Sequence, residues 1–99
     1  MIKVNVLGKQ YVIDILLYLY DREETTTVDL KNISSYYQGV VRRAEELEKL
    51  SLLEIKIQRK PYLKKTFSLT SKGKEIAEAL LDAEDMVLEG KAKRYKGWI

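Results

Sequence analysis

The chain has 99 residues, 45% hydrophobic and 33% charged, with no cysteine and no histidine. That is enough for one small domain with a modest core. It excludes a disulfide framework, a thiolate nucleophile, an imidazole base and a Cys/His zinc site. The net charge of +3 hides a segregation along the chain. Residues 56–74 carry Lys56, Arg59, Lys60, Lys64, Lys65, Lys72 and Lys74 and no acid, whereas residues 75–89 carry six acids and no base. Residues 90–99 are basic again, with Lys91, Lys93, Arg94 and Lys96. This pattern suits a surface that meets a polyanion, and equally a solvated lysine-rich hairpin.

Ile2, Val4 and Val6 alternate with polar residues, which predicts a short strand. From about Gly8 to Tyr20 the spacing is helical: Val12, Leu16 and Leu19 fall on one line, with Ile13, Leu17 and Tyr20 beside it. This central helix contains the longest nearly apolar run, Tyr11 to Tyr20, interrupted by Asp14. A membrane span needs about 20 apolar residues, so no membrane partner is expected. The alternating segment before it does not read as a signal peptide, and a cytoplasmic protein is expected. Few Asn and Gln, abundant Lys and Glu, and no Cys point toward a thermophilic or archaeal source.

Thr25 to Thr27 predict a two- or three-residue strand. Thr26 or Thr27 then caps a short helix, Val28 to Ile33, with Asp29 in its positive first turn. Ser35-Tyr36-Tyr37-Gln38 fits a capping box and opens a longer helix that runs to about Leu50. Tyr37, Val40, Val41, Ala44 and Leu47 share its buried face. Ser35, Gln38, Gly39, Arg42, Glu46 and Lys49 share the other, with Tyr36 and Arg43 at the edge. Leu53, Ile55 and Ile57 alternate as a half-buried strand, Lys60-Pro61-Tyr62 turns, and Phe67 and Leu69 return. Thr70 or Ser71 caps a last helix, whose stripe of Ile76, Leu80, Ala83 and Val87 is widened by Ala77, Leu81 and Leu88. Gly90 is its expected C-cap. Residues 1–90 therefore read as one domain and 91–99 as a basic tail.

The order of helix, short strand, short helix, longer helix, hairpin and helix is that of a winged helix-turn-helix, an α+β fold. Residues 36–55, YYQGVVRRAEELEKLSLLEI, resemble the recognition helix and the start of the wing in MarR-like and related prokaryotic regulators. Residues 67–74, FSLTSKGK, resemble the LTxKG segment that follows the wing there. With the first helix, the resemblance spans about residues 8–89. It implies a helix packing around a two- or three-stranded antiparallel wing, double-stranded DNA as partner, and a transcriptional regulator. Ser51 departs from the glycine common in the LGL of those regulators, and glycine suits a left-handed cap better.

In such a fold the N-terminal part of the recognition helix, here about 35–50, reaches base edges in the major groove. Ser35, Tyr36, Gln38, Gly39, Arg42 and Arg43 are the candidates. Arg can bind guanine bidentately, Gln can pair with adenine, and Ser or Tyr can bond phosphates. The competing reading pairs Arg42 and Arg43 with nearby acids on the same helix. The wing, about 53–69, offers Arg59, Lys60, Lys64 and Lys65 to phosphates or the minor groove, with Tyr62 at its tip. Gly39 costs a helix interior about 1 kcal/mol against alanine. Close approach to DNA or to the preceding helix would account for it.

Ile76, Leu80, Leu81, Ala83, Val87 and Leu88 leave more apolar surface than a lone domain of this length covers, which predicts a homodimer. The acids Glu45, Glu46 and Glu48, and Asp82, Glu84 and Asp85, are expected on solvated helix faces rather than across a catalytic cleft. A Mg²⁺ site at Asp82 and Asp85 has only its spacing in favour. No catalytic residue, metal ligand, cofactor or effector site is expected, and the effector is unknown. Walker, dinucleotide and nucleophile-elbow motifs are absent from the sequence. The alternatives to a DNA-binding regulator are a winged-helix protein–protein interaction module and, third, a binder of structured RNA.

Overall fold

The computed structural model describes residues 5–89. The expected first strand at 2–6 falls largely outside these residues. The Gly90 cap and the basic tail fall wholly outside them. Asn5 to Tyr11 form turns, closed by bonds from the Lys9 N–H to the Val6 carbonyl and from the Val12 N–H to the Lys9 carbonyl. Helix α1 spans Val12–Tyr20, so it starts four residues later than the periodicity predicts. The cause is Tyr11, whose φ of 71° is left-handed and cannot continue a helix backward.

The other elements follow the predicted order. Strand β1 is Thr25–Thr26, a short 3-10 helix covers Asp29–Asn32, and α2 is Tyr37–Lys49. Strands β2 (Leu53–Gln58) and β3 (Lys64–Leu69) form the hairpin, and α3 is Ser71–Glu89. All strand pairs are antiparallel, in the order β1-β3-β2. Phe67 sits opposite both Thr25 and Ile55 and is fully buried, so the central strand carries the main sheet contribution to the core. Three helices beside a three-stranded sheet whose last two strands form a long hairpin make a winged-helix fold.

The core joins Val12, Ile15, Leu16 and Leu19 of α1 to Val40, Ala44 and Leu47 of α2, with Leu30, Leu53, Phe67 and Ala77. Ile15 belongs to it, while Ile13 is exposed. Burying a Leu- or Phe-sized side chain gives about 1.5–3 kcal/mol, so these contacts hold the helices to the sheet. The expected capping box does not form. Helix α2 begins at Tyr37 behind an N-cap at Tyr36 with no side-chain cap. The Tyr36 N–H instead donates to the Ser34 hydroxyl at 3.1 Å, a local turn that competes with a serine cap at position 35. A second correction concerns α3. Asp82 is fully buried, on the covered side of the helix, rather than solvated.

The end of α2 is closed tightly. The Leu52 N–H bonds the Leu47 carbonyl at 3.0 Å and the Ser51 N–H the Glu48 carbonyl at 2.9 Å. With Ser51 at φ 64° this is a Schellman cap with serine in the left-handed position. Thr70 joins this corner to α3. Its hydroxyl donates to the Ser51 carbonyl at 2.6 Å and accepts the Gly73 N–H at 3.1 Å. Lys72 donates to the Leu50 carbonyl at 3.3 Å. A Cβ on Gly73 would lie 2.0 Å from the Leu52 carbonyl oxygen. The LTSKG segment is thus a clasp: Leu69 is buried, Thr70 caps, Lys72 meets the end of α2, and Gly73 admits the carbonyl.

Candidate nucleic-acid interface

The corner fixes α2 relative to the wing, and the two enclose an open trench. At one end Gln38, Val41 and Arg42 of α2 face Leu63 and Lys65 of the wing across a hollow of about 470 Å³, floored by Thr27. A second hollow of about 270 Å³ continues between Val28 and the wing residues Tyr62, Leu63 and Lys64. The hollows share Thr27, Leu63 and Lys65 in their lining, so they lie side by side along the wing. Its floor is set by the turn into the 3-10 helix. The Thr26 N–H and hydroxyl both donate to the Asp29 carboxylate at 3.1 Å, and the Asp29 N–H returns to the Thr26 hydroxyl at 3.4 Å. These bonds, the backbone one foremost, hold the Asp29 carboxyl below the usual carboxylate range. Thr26 thus makes the contact expected of Thr26 or Thr27.

The two adjacent arginines part company. Arg43 is half-buried and its guanidinium is committed within the chain. It donates to the Gln10 carbonyl at 3.1 Å and is bridged to Glu46, one turn on. That hydrogen bond holds the Glu46 carboxyl below its ordinary value. Arg42 is exposed, and no ion pair among the described residues includes it. The acid-pairing reading therefore describes Arg43, and Arg42 remains available to a partner.

The remaining candidates are placed as follows. Ser35, Tyr36 and Gln38 are exposed at the start of α2. The close approach at Gly39 comes from the chain itself: a Cβ there would lie 2.9 Å from the Tyr36 ring and 3.3 Å from the Tyr11 ring. Tyr37 is half-buried, with the Lys31 ammonium 5.1 Å from its ring centre. Arg59, Lys60 and Tyr62 are exposed around the wing tip, after a cis Lys60-Pro61 bond. Lys64 and Lys65 are half-buried, and the Lys65 ammonium lies 3.9 Å from the Glu45 carboxylate.

Of the six residues assigned to a dimer contact, Ile76 and Leu80 pack against the core and Leu81 is half-buried. Ala83, Val87 and Leu88 are exposed, the last two at 83% and 74%. Among the described residues no helix is long and apolar enough to cross a membrane. No group of three or more possible ligands there is placed to hold a metal ion.

No protein-family model matches the chain, and no curated protein does. Solved structures do. A transcriptional regulator homologue from Pyrococcus horikoshii OT3 is similar with a TM-score of 0.74 and 18% identity, over 89% of each chain. Diamide-treated YodB from B. subtilis is similar at 0.67 and 14%, over 89% of this chain and 88% of that one. The reduced form of the transcriptional regulator YodB gives 0.65 and 17%, over 86% and 87%. At these identities the likeness establishes the fold.

Proposed function

We propose that this winged-helix chain is a sequence-specific binder of double-stranded DNA acting as a small transcriptional regulator. Helix α2 enters the major groove and the wing lies on phosphates or in the minor groove. The observation that carries the reading is the pairing of Arg42, exposed and in no ion pair among the described residues, with the acid-free basic stretch 56–69 of the wing across the same hollow. Both of the named neighbour types, the Pyrococcus homologue and YodB, are transcriptional regulators, which favours the same assignment.

In this reading Arg42 and Gln38 contact bases, with Ser35 and Tyr36 on the backbone beside them. Arg59, Lys60, Lys64 and Lys65 neutralise phosphates, and each such contact steepens the salt dependence by about one unit. Arg43 holds α2 to the Gln10 turn and acts on DNA only through that helix. The exposed end of α3, with Ala83, Val87 and Leu88, forms a homodimer contact. That contact sets two recognition helices about 34 Å apart on a pseudo-palindromic site.

The test is duplex binding against salt, with random and genomic fragments. Selected fragments bind tightly at physiological salt. Arg42→Ala weakens them by about 1–3 kcal/mol, the worth of one bidentate base contact, and relaxes selectivity. Arg43→Ala lowers thermal stability and changes selectivity less. Absence of binding even at low salt overturns the DNA reading and leaves the protein-interaction module.

A further inference from the structure

The first turn of α2 has no side-chain cap, yet it is held from outside the helix. The hold centres on Gly39, the one position of α2 without a side chain. A Cβ there would lie 2.9 Å from two atoms of the Tyr36 ring and 3.3 Å from the Tyr11 ring. The Tyr36 ring therefore folds forward along its own helix and rests in the space that the missing side chain leaves. Tyr11 borders the same space.

The two tyrosines meet again at Ser34. Its hydroxyl accepts the Tyr36 N–H at 3.1 Å and lies 3.4 Å from the Tyr11 hydroxyl. Tyr11 is itself fixed: its φ is 71°, and its carbonyl accepts the Ile15 N–H at 2.8 Å in the first turn of α1. Tyr36 is thus restrained at its backbone by Ser34 and at its ring by Gly39 and Tyr11, while it stays 56% exposed. A side chain ordered in advance loses little freedom on binding. Helix formation alone favours alanine over glycine at position 39. What the glycine supplies is room for the ring.

The chemistry of a held phenol decides its use. Its hydroxyl donates to a phosphate oxygen, and contacts of that kind fix the register of a protein on the duplex without reading sequence. Gln38 and Arg42 follow Tyr36 on the same helix. Where Tyr36 grips the backbone therefore decides which bases they meet.

We propose that Tyr36 is a pre-set clamp on one DNA phosphate that fixes the register of α2 in the groove, and that Gly39 and Tyr11 are positioning residues that hold its ring. This inference rests on the DNA reading above and deepens it. Selectivity at the bases facing Arg42 and Gln38 depends on a residue that touches no base.

The experiment uses the full chain and a duplex selected by the wild type, with each phosphate replaced in turn by an uncharged methylphosphonate. At the phosphate that Tyr36 holds, the wild type loses about ten-fold in affinity, the scale of one hydrogen bond to a charged group. Tyr36→Phe removes only the hydroxyl. It weakens the unmodified duplex by about the same factor, loses nothing further at that phosphate, and flattens the preference among single-base variants. Gly39→Ala reproduces these effects while its Tm stays at or above that of the wild type, because the exposed Tyr36 ring swings away and alanine favours the helix. Tyr11→Leu, which takes away the second ring, flattens selectivity in the same way. Neither change adds to the loss in the Tyr36→Phe background.

Three results overturn the clamp and leave the DNA reading in place. One is a Gly39→Ala chain that binds and selects as the wild type does. Another is the absence of any phosphate whose penalty disappears in Tyr36→Phe. The third is a Gly39→Ala loss that persists undiminished in Tyr36→Phe with a lowered Tm, which makes the glycine a packing residue. A wild type that binds no duplex even at low salt is a separate failure: it removes the DNA reading, and the clamp with it.

Discussion

The two ends of α2 are built in opposite ways. At its C-terminal end the Leu47, Glu48, Leu50 and Ser51 carbonyls find partners, through the Schellman bonds of Leu52 and Ser51 and the side chains of Thr70 and Lys72. At its N-terminal end there is no side-chain cap, and Tyr36 and Gln38 face outward beside an open trench. The closed end anchors the helix to β2 and α3. The open end keeps donors and apolar atoms available to something outside the chain. A recognition element needs both: fixed geometry at one end and unspent contacts at the other.

The largest effect is expected where the closed end has least room. Gly73→Ala places a methyl group 2.0 Å from the Leu52 carbonyl oxygen, a backbone atom that cannot rotate away. Overpacking of this kind costs typically 1–3 kcal/mol, and we expect about 3 kcal/mol here. In a domain of this length that lowers Tm by more than ten degrees, roughly. Urea and thermal unfolding read it directly. An unchanged midpoint would mean that α3 is not seated on the corner, and the contrast between the two ends would collapse.

The converse change sharpens the contrast. Ser51 holds φ 64°, a conformation that costs an L-residue about 1–2 kcal/mol. Glycine removes that strain and adds unfolded-state entropy worth about 0.5–1 kcal/mol. Ser51→Gly is expected to stabilise by roughly 0.5–1 kcal/mol, the difference between those two effects. The Ser51 carbonyl that accepts from Thr70 is retained. A fall in stability would show that the Ser51 side chain does something other than occupy the cap.

These features were not equally legible in the sequence. The buried stripe of α2 follows from helical spacing, and Val40, Ala44 and Leu47 are fully covered as that spacing requires. The hairpin follows from alternation on both sides of Pro61. The clasp was carried by the resemblance in FSLTSKGK, and its physical reason, the carbonyl against Gly73, needs coordinates. The start of α1 was missed because no residue type announces a left-handed tyrosine at position 11. The division between Arg42 and Arg43 was undecided because the partner of Arg43 is a backbone carbonyl 33 positions away. The trench was not visible because Thr27, α2 and the wing meet only in the folded chain. The burial of Asp82 was hidden by its position in an acidic run.

The smallest expected effect lies at the open end and concerns pH. Asp29 ties Thr26 to the 3-10 helix and so shapes the trench floor. Its carboxyl is held below its ordinary value of 3.8 by the Thr26 backbone and side-chain bonds. A group depressed in the folded state contributes stability above its unfolded pKa and loses it as pH falls through the folded value. The contribution is therefore level from neutral pH down to about 5 and declines below about 4. The Glu46 carboxyl is depressed as well, by its bond from Arg43, so wild-type stability alone does not isolate Asp29. Asp29→Asn does, because an amide does not titrate. The difference between wild-type and variant urea midpoints should be constant from pH 7 to pH 5 and shrink at pH 3. A difference that persists undiminished in acid would mean that the carboxylate charge contributes nothing to the floor, and that the loss in Asp29→Asn comes from the amide itself.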